Sequence, residues 1–490
     1  MLEEAVQRHP ERTVLISEKQ HITYGQLNQA IKAIAGLIKQ LGVGKGDNVA
    51  LMLPNIPEFV YSYFGVLKTG AATVPLNTSS TPFELIYLLN DSDSKILITQ
   101  ASQVKKYQEI KDKLLSCHHI ISVDSLNENG ELLSGAGFDD SSSVEIKPED
   151  PAHIIYTAGL TGRAMGAVLT HHNLCSELNM IQPIFRRTPD DIGLSLIPLF
   201  HSFGATVNML NVVQAGCSTV MMDRLTMDSL FSAIEREKIT YIAAVPRLYI
   251  GMIFYDKAAK YDVSSLKLCV TGGSAMPREF LPVFEQKFGA RILEGYGLTE
   301  ASPACSFNRI EYVSRPGSIG TALDGIEIKI VDDNGRELPR NEIGELIVKG
   351  DNVMKGYYKN EAATAAVIKD GWLYTGDLGR MDEENYIYLT GLKKRMIITS
   401  GFNVYPREVE TVLNMHEAVQ ASRVSGKADL MRGEIVRAHV VLKNGYSADE
   451  KEIIRHCKTY LSGYKVPREV EFVSEISGLA DNEIESGLAQ

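Results

Sequence analysis

Apolar residues recur every three or four positions near the start of the chain. Leu27, Ile31, Ile34, Ala35 and Ile38 follow Thr23-Tyr24, a spacing that predicts an amphipathic helix ending near Gly42. A continuous apolar run, Val49–Leu53, reads as a buried strand before Pro54. Helix and strand signals then alternate: Phe59–Lys68, Ala72–Pro75, Pro82–Leu89 and Ile96–Thr99, with further strands expected at Ile242–Val245 and Leu268–Thr271. Such alternation predicts an α/β protein with largely parallel sheets buried under helices. After about residue 310 the texture changes to short alternating strands, Ile326–Val331, Gly344–Val348 and Tyr386–Leu389, separated by polar turns. From about residue 391 a strand, a helix (Pro406–Leu413), strands (Val436–Leu442) and a second helix (Asp449–Leu461) describe a compact α+β unit. The expected fold is therefore a large N-terminal domain of parallel and mixed sheets with helices and a β-rich subdomain, followed by a small α+β C-terminal domain.

Composition narrows the field only by exclusion. The 490 residues are 44% hydrophobic and 23% charged, which excludes disorder and a disulfide scaffold as whole-chain descriptions. A net charge of −11 gives no support to a nucleic-acid partner. The longest apolar stretch, near Tyr241–Tyr255, is broken by Pro246 and Arg247, so no integral membrane segment is expected. The polar, acidic N-terminus is unlike a signal peptide, and a cytoplasmic location is expected. The six cysteines include no CxxC pair and read as reduced, buried thiols.

Three segments could carry chemistry. His153–His171 contains Thr157-Ala158-Gly159-Leu160-Thr161-Gly162 and then Gly166. Glycines let backbone N–H groups curl around an anion, and hydroxyls add donors, so this is a phosphate-loop candidate, or else a plain turn. It is not a Walker A loop, because Gly-Lys-Ser/Thr is missing. Leu293–Glu300 places Tyr296 between Gly295 and Gly297, followed by Thr299-Glu300. The aromatic could stack on a flat ring, and Thr-Glu could serve Mg2+ or a phosphate-bound water; a strand-to-helix turn is the alternative. In Trp372–Leu378, Asp377 follows Gly376 and could accept both hydroxyls of a ribose, although a lone Gly-Asp is more often a turn.

Taken together and in order, these segments resemble the adenylate-forming superfamily, which includes acyl-CoA synthetases, stand-alone adenylation domains and firefly luciferase. The resemblance extends through Leu196–Gly204, Gly272–Pro277, Lys349–Tyr358 and Ser400–Glu410, and the wording is most like bacterial fatty-acyl-CoA ligases. It implies ATP, Mg2+ and CoA as cosubstrates and cofactor, a carboxylic (fatty) acid as substrate, and two steps: an acyl-adenylate, then a thioester. It implies an AMP-binding domain over residues 1–391 and a small mobile domain over 392–490, with the hinge near Lys394. Roles follow by position: Gly273, Ser274 and Ala275 border the adenine, Tyr296 stacks on it, and Asp377 holds the ribose. Thr157, Gly159, Thr161, Gly162 and Gly166 belong to the phosphate loop, and Thr299 and Glu300 serve phosphate and magnesium. His201 lies at the acyl pocket, or else is a satisfied core histidine. Gly401 borders the pantetheine path.

Several positions depart from the family pattern. The phosphate loop usually reads Ser-Gly-Thr-Thr-Gly-x-Pro-Lys-Gly; here Ala158 and Leu160 replace hydroxyls and Met165 replaces the lysine, with Arg163 nearby. Relatives carry Gly-Arg-x-x-Asp where this chain has Gly391-Leu392 and then Arg395. The C-terminal catalytic lysine has no counterpart: Glu483 falls in its slot, and residues 470–490 hold five acids and no Lys or Arg. The nearest lysine is Lys465. Three functions are therefore carried forward: an acyl-CoA ligase with impaired adenylation, a degenerate binder of acyl or nucleotide ligand or of a protein partner, and an adenylation protein loading a carrier protein.

Overall fold

The structure, a computed structural model, describes residues 1–124, 144–158, 164–222, 225–311, 315, 317–393, 396–429 and 432–476. By their described residues, two compact units are formed. The first comprises Met1–Thr78, Leu89–Ile155 and Gly166–Gly391; the second comprises Ser79–Leu88, Tyr156–Met165 and Leu392–Gln490. The α/β expectation holds.

The first helix predicted from periodicity is Tyr24–Gln40. Thr23 caps it: its hydroxyl accepts the Gln26 N–H while the Gln26 side chain accepts the Thr23 N–H, satisfying two end donors at once. Leu27, Ile31, Ile34 and Ile38 are all fully buried. The helix Pro57–Lys68 packs against this one through Gly65, where an added Cβ would stand 2.6 Å from Ile34 Cγ2. Close packing there leaves no room for any side chain.

Two large sheets organise the first unit. Among the described residues, the larger has nine strands in the order Thr321–Ala322, Ala304–Phe307, Arg291–Gly297, Leu268–Thr271, Tyr241–Ala244, Ile192–Ser195, Ser218–Met221, Thr13–Ile16 and His21–Thr23. The six from Arg291–Gly297 to Thr13–Ile16 run parallel. One face carries Leu194, Val220, Ile242, Cys269 and Ile292 against the helices Met227–Glu237, Pro246–Phe254 and Phe280–Phe288. Phe231, Tyr249 and Phe284 are the largest side chains buried there. Pro246 takes the first turn of its helix, where no backbone N–H is needed, and so ends the apolar run as a strand followed by a helix.

The second sheet has seven described strands, with Ala72–Pro75 at its centre, Asn48–Met52 next to it, and Pro151–Ala158 beside Ala164–Thr170. Among the described residues, the β-rich region after residue 310 is a five-stranded sheet built on Gly344–Lys349 and Trp372–Met381. Trp372, the only tryptophan in the chain, lies beneath two cations: Lys329 Nζ is 5.1 Å and Lys349 Nζ 5.7 Å from its ring centroid.

The second unit has its own core. Ile397, Val404, Val409, Leu413, Val436, Val440, Ile453 and Cys457 meet between a sheet of five described strands and the helices Pro406–Leu413 and Glu450–Tyr460. Within this unit Lys465 is almost enclosed. Its ammonium donates to Glu84 at 2.8 Å and to Glu408 at 2.6 Å, and Ser462 donates to Glu84 at 2.6 Å. Burial raises the pKa of Glu84, but the charge and hydrogen bond of Lys465 outweigh it, so the net shift is downward.

Two expectations need correction. Gly166 was placed in the loop, but it lies inside the strand Ala164–Thr170, and its carbonyl accepts the Tyr358 N–H at 2.7 Å. All six cysteines are free, yet Cys175 is exposed rather than buried. No helix among the described residues is long and apolar enough to cross a membrane.

Candidate functional site

In an open parallel sheet, ligands gather beyond the C-terminal ends of the strands. Here the ends of Leu268–Thr271 and Arg291–Gly297 deliver Gly272–Ala275 and Gly295–Gly297 to one place. A Cβ on Gly272 would lie 3.3 Å from the Gly295 carbonyl oxygen and 3.5 Å from the Phe203 ring. The segment after His201 is thereby brought to the same edge. Gly273 has φ +80°, in the left-handed region, and leaves Ser274 and Ala275 exposed.

Glu294 anchors this loop, although the sequence assigned it no role. Burial raises its pKa to about 7, against hydrogen bonds from the backbone N–H groups of Met276 and Gly317 and the charge of Arg278. A carboxylate directly after Ile292-Leu293 in a buried strand was the available signal.

The glycines flanking Tyr296 are there for space. A Cβ on Gly297 would fall 1.8 Å from the Pro303 carbonyl oxygen, and one on Gly295 would fall 2.2 Å from the Phe307 ring. Tyr296 packs against the cluster of Ile330, Leu346, Met381 and Ile387, and its hydroxyl donates to the Asp377 carboxylate. Asp377 sits just past Gly376 (φ +78°), whose N–H donates to Glu345 at 3.0 Å. Burial raises the Asp377 pKa to about 6; the Tyr296 hydrogen bond opposes this, while the charges of Glu300 and Glu345 add to it.

Thr299 and Glu300 open a single turn, Thr299–Ala301. The Thr299 hydroxyl is 3.2 Å from that of Ser202, and Tyr357 donates to Glu300 at 2.9 Å. Neither Ser202 nor Tyr357 had been assigned a role, although both lie in segments of the resemblance. His201 caps the short helix Ser202–Ala205, its Nδ1 accepting the Phe203 N–H at 3.3 Å. Burial lowers the His201 pKa to about 4, so the ring is neutral at pH 7 with the proton on Nε2.

The first unit therefore brings together His201, Gly273, Ser274, Ala275, Tyr296, Thr299, Glu300 and Asp377. Thr157 and Gly401 belong to the second unit, with Gly401 in a turn at φ +84°. Gly159, Thr161, Gly162 and Lys394 lie outside the described residues, as do Leu160, Arg163, Arg395 and Glu483.

The AMP-binding enzyme family model matches residues 2–358, and that of the AMP-binding enzyme C-terminal domain matches residues 408–478. The chain belongs to the AMP-binding enzyme family. Among its relatives, a long-chain-fatty-acid–CoA ligase of Bacillus subtilis (strain 168) is 35% identical, covering 99% of this chain and 92% of its own. The structure of an o-succinylbenzoate CoA synthetase double mutant from Bacillus subtilis, bound with its product analogue, superimposes with a TM-score of 0.87 at 30% identity, covering 97% of this chain and 94% of that one. The amide bond synthetase McbA from Marinactinospora thermotolerans gives a TM-score of 0.88 at 25% identity, covering 97% and 96%. This chain is thus an acyl-CoA-ligase-like member of the adenylate-forming superfamily, whose ligases use ATP, Mg2+ and CoA.

Among the described residues are groups of the kind that a nucleoside and a magnesium ion call for. An aromatic side chain and an acceptor carboxylate stand side by side at Tyr296 and Asp377. Glu300 offers a hard oxygen ligand, the type Mg2+ takes when phosphates complete its shell. No group of three or more metal-ligating side chains occurs among the described residues. Met165, in the position where the family carries lysine, is buried and apolar. Leu392 is 38% exposed where an arginine is expected. Lys465 is held by two carboxylates, Glu84 and Glu408.

Proposed function

We propose that the protein is an ATP-dependent carboxylic (fatty) acid–CoA ligase whose adenylation step is weakened. The observation that carries this is the Tyr296–Asp377 pair beside the Thr299–Glu300 turn, at the strand ends of a family member. In this reading Gly273–Ala275 and Tyr296 hold the adenine, ionised Asp377 accepts the ribose hydroxyls, and Thr299 donates to phosphate. Mg2+, held by Glu300, would screen the phosphate charge. His201, neutral, borders the acid. Thr157, with Gly159, Thr161 and Gly162, lines the phosphates, and Gly401 borders the pantetheine path. Lys394 is the hinge between domains 1–391 and 392–490.

The weakening follows from charge. Attack of a carboxylate on the α-phosphate builds negative charge that cations and N–H donors must meet, and losing one positioned donor costs about 10²–10³ in rate. Met165 and Glu483 remove two cations, and a carboxylate in the second slot repels the reacting oxygens. Because such losses are not additive, no product of factors is taken.

The burial of Met165 and the commitment of Lys465 also favour a second reading, a binder of acyl or nucleotide ligand that no longer turns over. One experiment separates the two. The protein is incubated with Mg-ATP, CoA and saturated fatty acids of graded length, and AMP and acyl-CoA are detected by mass spectrometry, with an M165K/E483K variant alongside. Turnover by the native protein, raised at least tenfold in the variant, supports the ligase. Turnover by the variant alone makes the native protein a binder. Silence in both refutes the ligase. A parallel arm with a phosphopantetheinylated carrier protein in place of CoA tests that acceptor.

A further inference from the structure

Directly behind the Thr299–Glu300 turn lies a carboxylic acid to which the chemistry above gives no part. Glu177, on the helix His171–Phe185, is completely buried. One of its oxygens accepts the Ala304 N–H at 3.1 Å. Its other oxygen is 3.4 Å from the Asn352 side-chain nitrogen. That nitrogen has two hydrogens, and two carbonyls already take them: Ala301 at 2.9 Å and Ala304 at 2.8 Å. Ser302 in turn donates to the Asn352 carbonyl at 2.7 Å, and the Met354 N–H donates to the Glu300 carbonyl at 2.8 Å. Glu177 and Asn352 thus grip both ends of the segment 301–304, whose beginning fixes where Thr299 and Glu300 point.

We propose that Glu177, holding the Ala304 N–H beside Asn352, is the positioning residue for the Thr299–Glu300 turn.

An ionised carboxylate needs several donors or a cation when buried. Glu177 has one backbone N–H and a share of an amide already committed elsewhere. Burial accordingly raises its pKa to about 8, and the Ala304 N–H and the shared Asn352 amide only partly oppose this. The titratable group facing it from the adjoining strand is Cys305, a fully buried thiol whose pKa is raised by burial and by the charges of Glu177, Asp377 and Glu300. Asp351, from the loop that carries Asn352, is mostly exposed and faces His172 at 3.6 Å. Ionisation of Glu177 would therefore place an under-compensated charge beneath the turn, and the nearest relief is entry of water between the helix His171–Phe185 and residues 301–304.

The role of the turn in holding phosphate rests on the function proposed above, so the test has two arms. In the first, AMP affinity of the full chain is measured by calorimetry from pH 6 to 9.5. Wild type is expected to weaken at least fivefold between pH 7 and 9.5, E177Q to stay within twofold of its own pH 7 value, and E177A to bind at least tenfold more weakly than wild type at pH 7. A flat wild-type curve, an E177Q curve parallel to wild type, or an E177A variant binding as wild type overturns the proposal. In the second arm, without nucleotide, exchange protection of the Ala304 amide is followed over the same pH range. Protection is expected to fall above pH 8 in wild type and not in E177Q; equal behaviour overturns the proposal. Should no variant bind AMP, the nucleotide site itself is refuted, and the exchange arm alone decides the role of Glu177.

Discussion

At residue scale, two side chains at the strand ends carry displaced titrations of opposite kind. His201 has its pKa lowered to about 4 by burial. Its neutral form is favoured by folding, so the stability it confers is present above about pH 6.5 and lost as pH falls through 4. Its imidazole C–H resonances should not move between pH 8 and 5.5; a midpoint near 6.5 would show the ring to be solvated. Asp377 is the reverse. With its pKa raised to about 6, the protonated form is favoured by folding, and that stability is lost as pH rises from about 4 through 6. D377N should therefore melt higher than wild type at pH 7 and at the same temperature at pH 4. It should also bind AMP about tenfold more weakly at pH 7, the scale of losing a hydrogen bond to a charged group. A rise in stability coupled to a loss of affinity would place Asp377 among residues kept for function rather than for the fold.

At the scale of elements, the start of the helix His171–Phe185 shows how one side chain can serve two structures. Thr170 and Asn173 form a reciprocal cap, with the Asn173 N–H donating to Thr170 at 3.1 Å and the Thr170 N–H to the Asn173 side chain at 2.9 Å. Asn173 also donates to the carbonyls of Asp351 at 2.7 Å and Val353 at 2.9 Å. T170A should cost about 1 kcal/mol, the usual value of a cap. N173A should cost more, roughly 2–3 kcal/mol, because two part-buried carbonyls lose their donor as well. Urea unfolding of the two variants checks the order, and equal losses would deny the second role.

Elements of this kind were legible where the information is local. Thr23 ahead of a period of 3.6 marked one helix, and Pro246 broke one apolar run into strand and helix. Gly166 was misplaced because its strand is specified from far away: Gly356 and Tyr357 pair with Val168 and Ala167, nearly two hundred residues back along the chain. Glycine spacing near residue 166 looks the same whether that partner arrives or not. The contact of Tyr296 with Asp377 was equally invisible to periodicity. Only the order of motifs shared with a family placed the two residues at one site.

At the scale of the whole molecule, the described residues of the second unit hold a cluster of enclosed charge. Lys465, with Glu84 and Glu408, is removed from water, and such a cluster costs most when one member is deleted alone. K465M should lower stability by about 3–5 kcal/mol, seen in calorimetry as an earlier transition, and adding E84Q should recover part of the loss. A K465M protein as stable as wild type would mean that the carboxylates find water instead.

The same strand that carries Asp377 begins at Trp372, the chain's single indole, with Lys329 and Lys349 over its ring. All tryptophan emission therefore arises from one address, five residues from a candidate ribose ligand, and nearby ammonium charges tune its colour. The molecule thus carries one intrinsic fluorophore on the strand of Asp377, and its emission can be recorded in the unlabelled, unmutated chain.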